Sequence, residues 1–333
     1  MFLFGISDVE GGFDPLILLV FALIVEAVLG RYPGFGRWPG APAAVMAGFI
    51  SWCDRKLNRE GRSLGDRAAR GAVVTLILVC LVGAVGWGLA WLTQNIAAFW
   101  ILETCVIALL LDQRGTHAIV QRTGRALRGE DLSMARKELT PLAGQPIGPM
   151  DFHHLARTGL EASATAVARG AAGPVFWYVL FGLPGLMVFR AVDIMTELVG
   201  HQSERHPAFG FTAARLNDIL LYIPARLAGL YIVLASLLVP TAKPGLAAKV
   251  MLRDAGKHHS FNLGWPLGAV AGALDLAFAG SRQLDGATLS ASWIGDGTAK
   301  ATARDVSRGL YLTGIACLLN AAWVAALSVV RLV

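Results

Sequence analysis

Three stretches of the chain, Gly71–Leu92, Ile219–Val239 and Gly309–Val330, carry between them a single charged side chain, Arg226. Each is long enough, at 1.5 Å per helical residue, to cross a hydrocarbon layer ~30 Å thick. A chain inside lipid must satisfy its own backbone N–H and C=O groups, which leaves helices or closed barrels. Four further apolar segments, Pro15–Gly30, Ala97–Leu111, Gly173–Phe189 and Pro266–Gly280, are shorter. Two of them are interrupted by Gly and Pro and read as re-entrant or packed against neighbouring helices. The expected fold is an all-α polytopic membrane protein with five to seven membrane segments and cytoplasmic helical inserts. It is read as one domain over residues 1–333.

Composition agrees with a bilayer rather than a large soluble core. Hydrophobic residues make up 55% of the 333 and charged residues only 16%, where a soluble domain has about a quarter. The leader Met1–Asp14 has no basic start and no small-residue cleavage pattern, so the first apolar segment is expected to stay as an anchor. Net charge is +6, gathered in Arg31–Arg70 and Gln113–Lys137. By the positive-inside tendency both face the cytoplasm, with the turn at Thr93-Gln94-Asn95 outside. Topology and anionic lipid account for this basicity, and no nucleic-acid partner is expected. Cys53, Cys80, Cys105 and Cys317 show no CxxC spacing and read as small hydrophobes.

The longest polar insert, Asp112–Ala172, is expected to be a cytoplasmic helical insert. It divides into an exposed helix over Glu130–Leu142, a loop at Gly144–Met150, and a helix from Asp151 to Arg169. Asp151 is the cap, His153 and His154 are solvated, and Gly170–Gly173 ends the helix. Ser290–Thr298 reads as an exposed loop.

Two constellations carry chemistry. In Phe209–Asp218, Arg215 and Asp218 lie three apart and share a helical face, the spacing of an ion pair. Arg226 follows within an apolar run, two residues after Pro224; such an arginine needs a carboxylate, a phosphate or backbone carbonyls. A structural ion-pair network and an anion site both fit. The second constellation is Lys257-His258-His259-Ser260-Phe261-Asn262-Leu263-Gly264-Trp265-Pro266, at the mouth of the apolar segment Leu267–Gly280. Its plain reading is a capped helix entrance, with Ser260 and Asn262 meeting free N–H groups; its functional reading is a binding site. No GxxxxGK[ST], GxSxG or HExxH occurs.

At these residues the sequence resembles the CobD/CbiB family, the membrane-bound adenosylcobinamide-phosphate synthases. The resemblance is carried by Phe209-Gly210, Ala213-Ala214-Arg215-Leu216 with Asp218, Ile223-Pro224-Ala225-Arg226-Leu227, Arg253-Asp254-Ala255, Lys257-His258, Ser260, Asn262 and Gly264-Trp265-Pro266. It implies ATP- and Mg2+-dependent amide formation between adenosylcobyric acid, a corrinoid, and aminopropanol or its phosphate. Other enzymes of the corrinoid pathway are implied partners, besides membrane lipid, and the bacterial inner (cytoplasmic) membrane is the implied location. On this reading Glu161, Asp218 and His258 are catalytic. Arg190, Arg215, Arg226, Ser260, Asn262 and Trp265 bind substrate, and Asp193 and Glu197, four apart on one helical face, hold metal.

The sequence also departs from the family's pattern. An Arg-Asp pair is replaced at Ala143-Gly144-Gln145-Pro146, and a Glu-Asn with a following Asp by Thr165, Ala166 and Arg169. An Asn-Thr-Leu-Asp-Ser-Met run reads Asp193-Ile194-Met195-Thr196-Glu197-Leu198, and an Asn before Ile-Pro-Ala-Arg is Leu221. The alternative expectation is therefore a catalytically impaired relative that binds a corrinoid or a partner, or regulates.

Overall fold

The computed structural model describes residues 13–30, 39–59, 61–96, 98–142, 147–148, 150–200, 208–280, 282–284, 287–289 and 292–332. The start of the leader, Arg31, Arg37 and the segment 143–146 lie outside them. The chain divides into two compact units. Unit 1 takes Met1–Leu111, Gly173–Leu221 and Trp323–Val333; unit 2 takes Asp112–Ala172 and Tyr222–Ala322.

Unit 1 holds α1 (Pro15–Leu29), α2 (Pro42–Leu57), α3 (Leu64–Asn95), α4 (Phe99–Leu110), α8 (Gly173–Val199) and α9 (Phe211–Leu220). Here α3 and α2 pack on α8, α1 packs on α4, and α9 packs on α3 and α8. What was read as one basic loop, Arg31–Arg70, contains α2 and the first turns of α3. Asp14 caps α1 by accepting the Leu16 N–H at 2.7 Å, and Ser63 caps α3 through the Asp66 N–H.

Unit 2 holds α5 (Arg114–Arg128), α6 (Leu132–Leu139), α7 (Phe152–Ala166), α10 (Tyr222–Leu237), α11 (Pro244–Asp254), α12 (Gly264–Leu274) and the first part of α13 (Ala303–Leu332). Two antiparallel strand pairs follow α12. β1 (Phe278–Ala279) pairs with β4 (Trp293–Ile294), and β2 (Arg282–Leu284) with β3 (Ala287–Leu289). Ser290–Thr298 thus contributes β4 instead of being loop throughout.

Three helical runs, Leu64–Asn95, Phe152–Val199 and Ala303–Arg331, are long and apolar enough to cross a membrane. The pair Phe211–Leu220 and Tyr222–Leu237 counts as a fourth only if taken together across its 50° bend, and Pro15–Leu29 and Gly264–Leu274 are shorter apolar helices. The all-α polytopic class stands. The expected uninterrupted span over Ile219–Val239 does not: the helix breaks at Leu221. Pro224 has no N–H to offer the carbonyl of Leu220 four residues back, and that carbonyl instead accepts the indole N–H of Trp177 at 2.9 Å.

The same chemistry removes the helix end expected at Gly170–Gly173. A π-turn over Val167–Ala172 joins α7 to α8. Pro174 leaves the Gly170 carbonyl without its usual donor, and the Asp112 N–H takes it at 3.1 Å. A Cβ on residue 170 would stand 2.3 Å from the Asp112 carbonyl oxygen, so the contact requires glycine.

The segment Pro266–Gly280, read as short for a span, holds a buried helix. Its helix, α12, has 11 residues, about 16 Å at 1.5 Å each. All of them except Trp265 are buried, against α10 and α11. It ends at Asp275 in the left-handed region, φ 58°. Gly264, Gly268 and Gly272 fall on one face and let α11 approach closely; at Gly264 a Cβ would sit 1.9 Å from the Ala255 carbonyl oxygen.

Candidate functional site

The close packing of α10, α11 and α12 brings the two motif blocks together in unit 2. Arg226 lies one turn after Tyr222 on α10, so its side chain folds back along the helix. Its Nη1 donates to the Tyr222 carbonyl at 2.6 Å, and its guanidinium carbon stands 3.5 Å from the Tyr222 ring centroid. The turn at Gly264 carries the other block toward it. Trp265 and Phe261 present rings 4.7 and 5.4 Å from the guanidinium carbon, and Tyr222 and Phe261 stack at 6.0 Å. Asn262 is fully buried, and its Oδ1 accepts from Arg226 Nη1 at 3.3 Å. Among the described residues no carboxylate lies within ion-pair distance of Arg226. A half-buried guanidinium walled by three rings, its charge uncompensated, is suited to a delocalised or phosphorylated anion.

Next to it the same polypeptide builds a compensated cluster. Asp254 ends α11 with no exposed surface. It accepts from Arg253 Nε and Nη2 at 2.8 and 2.7 Å, pairs with Lys257 Nζ at 2.7 Å, and takes the Gly295 N–H at 2.9 Å. Arg253 also reaches Asp296 at 2.7 Å. Arg253 foremost, then Lys257 and the Gly295 N–H, hold the Asp254 carboxyl well below the usual carboxylate range against the opposing effect of burial. The cluster ties the start of the His258–Leu263 loop to the turn after β4.

The other expected residues of unit 2 have local duties. His258 Nδ1 accepts from the Ser260 N–H at 3.0 Å, closing the turn before Phe261; the same nitrogen stands 3.2 Å from the Ser260 carbonyl, a contact that needs the opposite tautomer. The shorter contact, whose partner can only donate, decides for the Nε2–H ring. Ser260 enters through its backbone, and the expected helix cap is not formed: Leu263 is the N-cap residue of α12, with no side-chain bond to a free N–H, and the Asn262 Oδ1 goes to Arg226 instead. Glu161 on α7 accepts the Ala279 N–H at 2.9 Å, bracing a residue held at φ 58°. His153, expected to be solvated, is half-buried with Nδ1 2.8 Å from the Ala301 carbonyl.

In unit 1, Arg190 and Asp193 form a buried ion pair at 2.8 Å on α8, while Glu197 is exposed. Arg215 and Asp218 make the expected i, i+3 pair on α9, at 3.4 Å and largely exposed. Tyr222, Phe261 and Asp254 are the functional residues that sequence reasoning passed over. Tyr222 was signalled by its i, i+4 spacing to Arg226, and Phe261 by its place beside Asn262.

The fold and this site define a class: a helical membrane protein with an aromatic-walled cation in a short helix–turn–helix corner. The CobD/Cbib protein family matches residues 19–313, and the chain belongs to that family. A "Cobalamin biosynthesis protein CobD" of Brucella suis biovar 1 is 32% identical over 300 residues, covering 89% of this chain and 92% of the relative. One from Sinorhizobium sp is 32% identical over 95% of this chain and 98% of its own length. One from Halalkalibacterium halodurans is 27% identical over 87% and 91%. No solved structure matches the chain.

Proposed function

We propose that this membrane protein acts in cobalamin biosynthesis as the enzyme that joins aminopropanol or its phosphate to a propionate side chain of adenosylcobyric acid. Family membership supports the pathway. The observation that carries the site is the meeting of Arg226 with Asn262 and Trp265, two sequence blocks brought into one uncompensated cationic corner.

The reaction needs an activated carboxylate. ATP would phosphorylate the propionate to an acyl phosphate with loss of ADP. The amine then attacks the acyl carbon, the C–N bond forms, phosphate leaves, and the ammonium proton passes to a base. Arg226 would hold anionic oxygen, either of the propionate or of phosphate, and Asn262 would fix the guanidinium plane. The flat rings of Tyr222, Phe261 and Trp265 give an apolar wall against which a corrin edge can lie. His258 and Glu161 are the candidate bases in this unit. In unit 1, Arg190 and Arg215 are the candidates for anion contact and Asp218 for a base.

Magnesium would supply charge neutralisation on the nucleotide phosphates. Among the described residues no group of three or more His, Cys, Asp and Glu converges, and Asp193 is engaged by Arg190. The described residues thus offer no assembled metal centre, and no step here is assigned to the metal.

A second reading, corrinoid binding without catalysis, draws support from carboxylates already committed elsewhere: Glu161 to the Ala279 N–H and Asp218 to Arg215. One assay separates the two. Detergent-purified protein is incubated with adenosylcobyric acid, aminopropanol phosphate, ATP and Mg2+, and the corrinoid mass is measured. The amide product is expected. Corrinoid binding with no product favours the second reading, and neither binding nor product rejects both.

A further inference from the structure

We propose that the corner between α2 and α3 is a binding site for anionic phospholipid. The outward stripe of α2 runs Val45, Gly48 and Trp52, then Arg55 and Lys56, with Arg59 just past the helix end; all six are exposed. The opposite face, Met46, Ile50 and Cys53, is buried. One stripe therefore changes along its length from apolar to cationic, with Trp52 at the change. The Phe49 and Trp52 rings stack there at 6.3 Å. The outward stripe of α3 makes the reverse change, from Arg70 to Val73, Leu76 and Ile77. An aromatic ring at the junction of apolar and basic surface is the pattern of a hydrocarbon–headgroup boundary.

The link between the helices is built to gather these cations. Arg62 Nη1 donates to the Leu57 carbonyl at 2.9 Å, and the buried Arg67 donates through Nε to Asn58 Oδ1 at 2.7 Å. Two arginines are thereby spent on fixing the corner. Arg55, Lys56, Arg59 and Arg70 remain exposed with no ion pair among the described residues. The nearby acids on described residues are Asp54, which accepts from Asn58 at 2.8 Å, and Asp66 in the first turn of α3. Residues 54–70 carry six Lys and Arg against three Asp and Glu. The occupant is a phospholipid rather than free phosphate. The cations stand at the end of an exposed apolar stripe that acyl chains cover, and α3 is itself a membrane-length helix.

Native mass spectrometry of the full chain in detergent, with phosphatidylglycerol and phosphatidylcholine at equal concentration, tests this. Wild type is expected to retain phosphatidylglycerol preferentially. Arg55→Gln/Lys56→Gln/Arg59→Gln is expected to lose that preference by about tenfold or more, each surface charge being worth about 1 kcal/mol against an anionic headgroup. The charge-conserving Arg55→Lys/Lys56→Arg/Arg59→Lys keeps it, which guards against a mere folding defect. Lys249→Gln/Lys300→Gln/Arg304→Gln, in the other unit, keeps it too. Inorganic phosphate at millimolar concentration is expected not to displace the lipid. Equal retention of both lipids by wild type, unchanged preference in the Gln variant, equal loss in the control variant, or displacement by free phosphate would each overturn the proposal.

Discussion

Arg226 and Arg253 belong to the same unit and to the two sequence blocks that meet there, yet they are satisfied in opposite ways. Arg253 is locked between Asp254 and Asp296, and its neighbour Lys257 shares the same carboxylate. Two cations meet two anions, and nothing is left over to attract a ligand. Arg226 has a backbone carbonyl, an amide oxygen and three rings, none of which carries negative charge. Compensation makes the first cluster a brace; its lack suits the second to the receptor role proposed for it. The Asp254 cluster fixes the loop that brings Phe261, Asn262 and Trp265 to Arg226, so the brace positions the proposed receptor.

The contrast can be broken at several points. The largest effect is expected at the helix junction the two clusters share. Gly264→Ala forces a methyl group into the Ala255 carbonyl oxygen, and α12 must shift or the loop must open. We expect more than about 3 kcal/mol of destabilisation, seen as a large fall in unfolding midpoint together with loss of corrinoid binding. A near-normal midpoint would mean that the close approach of α11 and α12 is not what holds this corner.

Asp254→Asn comes next. It strips charge from a fully buried group with four donors on it, but the cations it leaves are partly exposed, so about 2–3 kcal/mol is expected. The same variant gives a pH signature. The folded carboxyl lies below its unfolded value of about 3.9, so its contribution is fully present above about pH 4 and is lost as pH falls through the folded value. Wild type should lose stability on acidification through that range more steeply than Asp254→Asn, in a pH series of thermal melts. Parallel curves would show that Asp254 carries no such linkage.

Asn262→Ala is the smallest change. It removes one neutral acceptor from the guanidinium, at about 1 kcal/mol, and should weaken corrinoid binding roughly fivefold while membrane insertion stays intact. Unchanged affinity would detach Asn262 from the site.

These particular residues also mark how far the sequence could be read. The membrane class was legible because Gly71–Leu92 within α3 and Gly309–Val330 within α13 carry no charge over a membrane's length. Arg226 and the Asn262 block stood out separately, one as an arginine in an apolar run and the other as polar groups crowded before a glycine. That they touch depends on α12 being short and wedged between α10 and α11, and a run of apolar letters from Leu267 to Gly280 does not distinguish a spanning helix from a buried one. The break at Leu221 hides for a similar reason: its stability comes from Trp177, whose indole satisfies the carbonyl that Pro224 abandons. Asp254 was visible only as a motif letter, since two of its partners, Gly295 and the Asp296-bound Arg253, are set by a turn more than 40 residues away. The Arg215–Asp218 pair, purely local, was fully legible.

The receptor assignment is tested most directly by titrating adenosylcobyric acid into wild type and Arg226→Gln in detergent, with thermal melts of both. The brace-and-receptor account predicts at least about a tenfold rise in Kd for the variant with an unfolding midpoint close to wild type, because Arg226 completes no ion pair among the described residues. An unchanged Kd, or a loss of affinity that only tracks a collapse in stability, would contradict it.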